Sequence, residues 1–157
     1  MPLPKYEYLD HKTMDSYYAE VVRQLANCAV VPEVIIALSR GGLDFGVKLS
    51  HYFDDADLVP LVWQTRDGAL KQEDLLHDTL KANAGARVLI VDDILDSGET
   101  LTQIEAITDV YASTVDIYYA AAIANTEADI QVDFAGREIS RSDDTQWFVF
   151  PFENWWK

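Results

Sequence analysis

The stretch Val88-Leu-Ile-Val-Asp-Asp-Ile-Leu-Asp-Ser-Gly-Glu-Thr-Leu101 constrains the fold more than any other part of the chain. Val88 to Val91 is a short apolar run that reads as a fully buried strand. Asp92 and Asp93 sit where that strand is expected to end, and Asp96 follows in a short loop. Ser97-Gly98-Glu99-Thr100 then opens a run with apolar residues at helical spacing. A strand, a small-residue loop and a helix N-terminus form an anion site, because the first helical N–H groups have no backbone partners. Carboxylates beside such a site would repel a bare phosphate. They make sense if the ligand also carries hydroxyls, a metal or a developing positive charge, and a sugar phosphate offers all three.

The rest of the chain alternates in the same way. Residues 13 to 29 read as a helix, with Thr13 as a candidate cap and Met14, Tyr17, Tyr18, Val21, Val22 and Leu25 at helical spacing. Val34 to Leu38 reads as a buried strand, broken by Ser39-Arg40-Gly41-Gly42, and Leu43 to Phe53 as a helix. Leu58 to Trp63 is the next strand, with Pro60 pointing to an edge position. Residues 65 to 85 are polar, with a possible short helix from Glu73 to Leu80. Leu101, Ile104, Ile107 and Val110 make a helical stripe, and Val115 to Ala122 is a further strand. Alternating strands and helices predict an α/β fold, a mostly parallel sheet flanked by helices, in one domain over residues 1–157. Ligands bind such sheets beyond the carboxyl ends of the strands. The segments after Leu38, Trp63 and Val91 all fall there.

Composition narrows the function. The chain has 12 basic and 27 acidic residues, a net charge of −15, with no basic stripe to meet nucleic acid. The acidity reads as a highly solvated surface. No apolar run reaches the length of a membrane span, and the first residues do not have the pattern of a signal peptide. The single cysteine, Cys28, excludes an internal disulfide and reads as a small core residue. A cytoplasmic setting is expected. The histidines show no metal-ligand spacing.

Asp92-Asp93-Ile94-Leu95-Asp96-Ser97-Gly98-Glu99-Thr100 resembles the phosphoribosyl-diphosphate motif of the type I phosphoribosyltransferases. In that family a hydrophobic strand leads into two acids, two apolar residues and Asp-Thr/Ser-Gly-x-Thr. Leu38-Ser-Arg-Gly-Gly-Leu43 is similar to the family's diphosphate loop, which often holds a non-proline cis peptide, here at Ser39–Arg40. Taken alone, that segment is also an ordinary tight turn with a surface arginine. Thr65 and Arg66 stand where purine enzymes of the family carry a mobile hood, and an exposed loop is the plain alternative. Trp147-Phe-Val-Phe-Pro-Phe-Glu153 resembles the end of the bacterial xanthine–guanine and hypoxanthine enzymes.

The resemblance implies a transferase that moves 5-phosphoribose from phosphoribosyl diphosphate to a nucleobase, with a 6-oxopurine in salvage as the favoured acceptor. It assigns the 5-phosphate to Asp96, Ser97, Gly98, Glu99 and Thr100, with the Glu99 carboxylate pointing away. The ribose hydroxyls and Mg²⁺ go to Asp92 and Asp93, the diphosphate to Ser39, Arg40, Gly41 and Gly42, and the N7 proton of the base to Asp96. Trp147 would stack on the base, with the Phe148 backbone at its 2-position, and Glu153 would lie near a second metal. The family's lysine for the 6-oxygen is missing, and Asn125 is its best match. Homodimers or homotetramers are usual in the family. Two other readings stay open: a non-catalytic sensor of phosphoribosyl diphosphate, and a transferase for another base.

Overall fold

The computed structural model describes residues 3–63 and 71–157. Five parallel strands form the main sheet in the order β3-β2-β4-β5-β6. They are β2 (Val34–Ser39), β3 (Asp57–Val62), β4 (Arg87–Leu95), β5 (Asp116–Asn125) and β6 (Phe134–Ile139). A separate two-stranded parallel ribbon pairs β1 (Tyr6–Tyr8) with β7 (Trp147–Val149). The helices are α1 (His11–Asn27), α2 (Leu43–Tyr52), α3 (Glu73–Ala82) and α4 (Glu99–Thr108).

Both faces of the sheet are covered, so its strands are apolar on both sides, as parallel sheets require. Ile35 and Ala37 of β2 pack with Met14, Tyr18, Val21 and Leu25 of α1 and Phe45 and Leu49 of α2. Their neighbours Val34, Ile36 and Leu38 pack with Leu76 and Leu80 of α3 and Ile104 of α4. The period-two alternation of a strand thus splits one sequence run between two cores. Chain direction across the sheet reverses at β2, whose neighbours are β3 on one side and β4 on the other. That reversal leaves a crevice at the carboxyl ends of β2 and β4.

Several expectations are corrected. Helix α1 is capped by Asp10, whose Oδ1 accepts from the Thr13 amide at 2.7 Å, and not by Thr13. Cys28 lies just past α1 and is exposed, so it is no core residue. Strand β4 does not end at Val91. It runs on to Leu95, with Asp92 opposite Ala121 and Ile94 opposite Ile123. The acid pair is therefore part of the strand, and only Asp96, Ser97 and Gly98 separate it from α4. Pro60 lies on an edge strand, where its missing N–H leaves no gap in the ladder.

Candidate functional site

The site grows from the end of β4. Asp92 and Asp93 are half-buried, and each carboxylate is held by the next backbone amide: Asp93 N–H donates to Asp92 Oδ1 at 2.9 Å, and Ile94 N–H to Asp93 Oδ1 at 2.8 Å. Neither has a cationic partner among the described residues. Burial pushes the Asp92 carboxyl well up, and the neighbouring Asp93 charge adds to it. Burial also pushes Asp93 up, and the charge of Glu153 contributes. Two adjacent carboxylates without a described cation beside them would be favoured by a positively charged ligand.

Next comes the anion cradle. Gly98 opens α4 at φ 84°, a left-handed conformation that a side chain resists. The Ser97 hydroxyl accepts from the Glu99 amide at 3.3 Å, and the first amide to bond back into the helix is that of Thr102, to Gly98 O at 2.9 Å. The amides before it face the loop, at the positive end of the helix. Glu99 is exposed and also borders the cavity at the start of α4. A cavity of about 130 Å³ is lined by Asp92, Asp96, Ser97, Gly98 and Thr100, among others.

The loop after β2 reaches the same place. The Ser39–Arg40 peptide bond is cis. Gly41 lies so close to Asp93 that any side chain there would run into the carboxylate. Arg40 is exposed beside it. Two loops that the sequence keeps fifty residues apart, roughly, thus share one crevice at the switch point of the sheet. Thr65 and Arg66 lie outside the described residues.

The far wall differs from expectation. Asn125, at the end of β5, is buried and its amide is taken up by the protein. Its Nδ2 donates to Asp96 O at 3.0 Å, and its Oδ1 accepts from the Glu127 and Arg141 amides at 3.1 and 3.3 Å. It acts on the backbone that carries the site, with one Nδ2 hydrogen left without a partner among the described residues. Asp96 is instead met by Arg141, which sequence reading missed. Arg141 Nε donates to Asp96 Oδ1 at 2.8 Å and Nη2 to Oδ2 at 2.9 Å. Nη1 donates to the carbonyls of Asp144 and Gln146 at 3.2 and 2.6 Å. The hydrogen bonds to Asp96 hold the guanidinium above its ordinary range. The only sequence signal was a basic residue in an acidic run just before Trp147.

The C-terminal pieces divide by face. Trp147 is 54% exposed, whereas Phe148 and Phe150 are buried. Phe148 carries two cations over its ring, Arg141 at 5.1 Å and Arg137 at 5.3 Å. Phe150 stacks on Phe152 at 5.4 Å. Glu153 Oε2 accepts from the Phe150 amide at 2.8 Å, closing the turn Pro151–Glu153. Among the described residues no three His, Cys, Asp or Glu side chains converge as a metal cluster, and no helix is long and apolar enough to cross a membrane.

Comparison with known proteins agrees with this geometry. A family model described as the phosphoribosyl transferase domain matches residues 8–154. No curated protein matches the sequence. Among solved structures, the Helicobacter pylori xanthine-guanine-hypoxanthine phosphoribosyltransferase superposes with a TM-score of 0.72 at 19% identity, over 95% of this chain and 94% of that one. A purine phosphoribosyltransferase from Pyrococcus horikoshii gives 0.70 at 24% identity, over 96% and 95%. A hypothetical protein from Neisseria gonorrhoeae with bound ppGpp gives 0.69 at 16% identity, over 98% and 92%. At these identities the structures establish a common fold.

Proposed function

Because the chain belongs to the phosphoribosyl transferase domain family, we propose that it transfers 5-phosphoribose from phosphoribosyl diphosphate to a ring nitrogen of a 6-oxopurine. The observation that carries this reading is the acid pair Asp92–Asp93, with Asp93 against Gly41, one loop away from the α4 N-terminus. One crevice then has a place for each part of the sugar donor. The amides of Ser97, Gly98 and Thr100 and the Thr100 hydroxyl suit the 5-phosphate. The carboxylates suit the ribose hydroxyls. Arg40 and the amides of Gly41 and Gly42 suit the diphosphate.

Displacement of diphosphate builds positive charge at C1 of the ribose, as in glycoside cleavage. Asp92 and Asp93 place fixed negative charge beneath it, which favours the transition state over the ground state. Asp96 is the group positioned to accept the proton of the attacking base. Trp147 offers an exposed aromatic face for stacking, and Phe148 holds that strand from the buried side. The names of the Helicobacter and Pyrococcus proteins support a purine acceptor.

The donor set fits Mg²⁺, which prefers hard oxygen ligands and keeps several waters, taking one or two carboxylates together with substrate phosphates. Asp92 and Asp93 would hold it, and Glu153 lies within electrostatic reach of Asp93. When bound, the ion neutralises charge on the leaving diphosphate. A cytoplasmic homodimer or homotetramer completes the reading. Incubation with phosphoribosyl diphosphate, Mg²⁺ and a panel of purines and pyrimidines tests it, with release of diphosphate and appearance of a nucleoside monophosphate expected. Binding of the donor without any product would instead make the protein a sensor.

A further inference from the structure

Arg141 holds the carboxylate of Asp96 with two hydrogen bonds and, through Nη1, the carbonyl of Gln146, the residue before Trp147. The guanidinium therefore bridges the proposed proton acceptor and the proposed stacking platform. Asp96 remains 47% exposed and lines the cavity, and Arg141, 23% exposed, lies directly against its carboxylate. Four of the five guanidinium hydrogens have partners among the described residues, and the fifth is on Nη2, beside Asp96. Asn125, which binds the Asp96 carbonyl and the Arg141 amide, fixes the two residues relative to each other.

We propose that Arg141 is the specificity-determining cation of the base site, donating from Nη2 to the 6-oxygen of a purine whose N7 faces Asp96. The proposal rests on the transferase reading above. Its chemistry is a matched edge. In a 6-oxopurine, N7 and the 6-oxygen are neighbours, so a protonated N7 presents a donor beside an acceptor. Asp96 and Arg141 present an acceptor beside a donor. An adenine edge has an amino group in place of the oxygen, and its hydrogens would face a cation. Asn125 is buried and gives its Oδ1 and one Nδ2 hydrogen to the backbone, whereas the free Nη2 hydrogen of Arg141 belongs to a cation beside the Asp96 carboxylate, which makes it the stronger donor to that oxygen. Arginine is suited to the task because its charge is permanent and its donors lie in one plane.

The test uses the full chain with Arg141→Met and Arg141→Lys. The readouts are kcat/KM for hypoxanthine and adenine, KM for phosphoribosyl diphosphate, and calorimetric binding of the two product nucleotides, inosine and adenosine monophosphate. Arg141→Met should lower kcat/KM for hypoxanthine by about 10- to 100-fold, the range for one charged hydrogen bond, and that for adenine much less. KM for phosphoribosyl diphosphate should hold, and Arg141→Lys should keep most of the oxopurine preference as a point-charge donor. An unchanged hypoxanthine-to-adenine ratio in Arg141→Met overturns the proposal, whatever the absolute rates. If that variant does not fold, equal binding of the two nucleotides by the wild-type protein overturns it. If the wild-type protein transfers no base, the transferase reading falls by itself. The nucleotide-binding preference and its loss in the variants then decide on Arg141 separately.

Discussion

Asp92 and Asp93 are covalent neighbours in a strand; Asp92 lines the cavity and Asp93 lies against Gly41, and neither has a cationic partner among the described residues. Burial, with the neighbouring Asp93 charge at Asp92 and the Glu153 charge at Asp93, raises both carboxyls, so the ionised pair disfavours the ligand-free fold. Asp92→Asn with Asp93→Asn should therefore raise the melting temperature of the ligand-free protein while lowering turnover by several powers of ten. Near-normal kcat in the folded double variant would remove the pair from the chemistry. Trp147 and Phe148 make a second contrast at this scale. Trp147 is half-exposed and Phe148 is buried, so truncating them should have opposite signatures. Trp147→Ala should raise KM for the base by about 10- to 100-fold, from the usual range of aromatic–base stacking, with little change in melting temperature. Phe148→Ala should instead destabilise by about 3–5 kcal/mol, as loss of a core aromatic does. A thermal melt and steady-state kinetics on the same samples separate them, and a large melting shift for Trp147→Ala would place it in the core.

At the scale of elements, α1 depends on one cap. Hydrogen bonds from Thr13 hold the Asp10 carboxyl below its ordinary value of 3.8. A carboxyl depressed in the folded state stabilises at pH above the unfolded value and loses that contribution as pH falls through the folded one. Asp10→Ala should then lower the melting temperature near neutral pH by roughly 2–4 °C, and the gap to wild type should close on acidification. A gap that does not depend on pH would mean the carboxylate is not the cap. Elements with strong local signals were legible in the sequence: α1, α2, β2 and the apolar half of β4 all follow from periodicity. The polar half of β4 was not, because a backbone ladder with β5 continues regardless of what the side chains are. Strand β6 was missed since Phe-Ala-Gly-Arg-Glu-Ile lacks both alternation and an apolar run, as an edge strand can. The loops after β2 and β4 were legible as breaks between strand and helix because Ser39-Arg-Gly-Gly42 and Asp96-Ser-Gly98 are local signals. Arg141 was not, since its partner Asp96 lies 45 residues away and nothing between them marks the contact.

For the molecule as a whole, the net charge of −15 opposes its own proposed substrate, which is strongly anionic. The local donors, Arg40 and the loop amides, act only at contact, whereas the general field acts on approach. Screening shortens the reach of that field to about 10 Å at 0.1 M salt. Encounter with phosphoribosyl diphosphate should therefore quicken as ionic strength rises from a few millimolar toward physiological values, the reverse of an enzyme that steers its anion with a basic surface. The measurement is kcat/KM for phosphoribosyl diphosphate against NaCl at saturating Mg²⁺ and base. A non-binding anion is used so that competition for the cradle does not intrude. The expected curve rises before it levels, with kcat itself nearly flat because the bound complex is shielded from bulk salt. A monotonic fall would mean that a positive field near the crevice outweighs the total charge, and Arg40→Gln should then abolish the fall if that arginine supplies it.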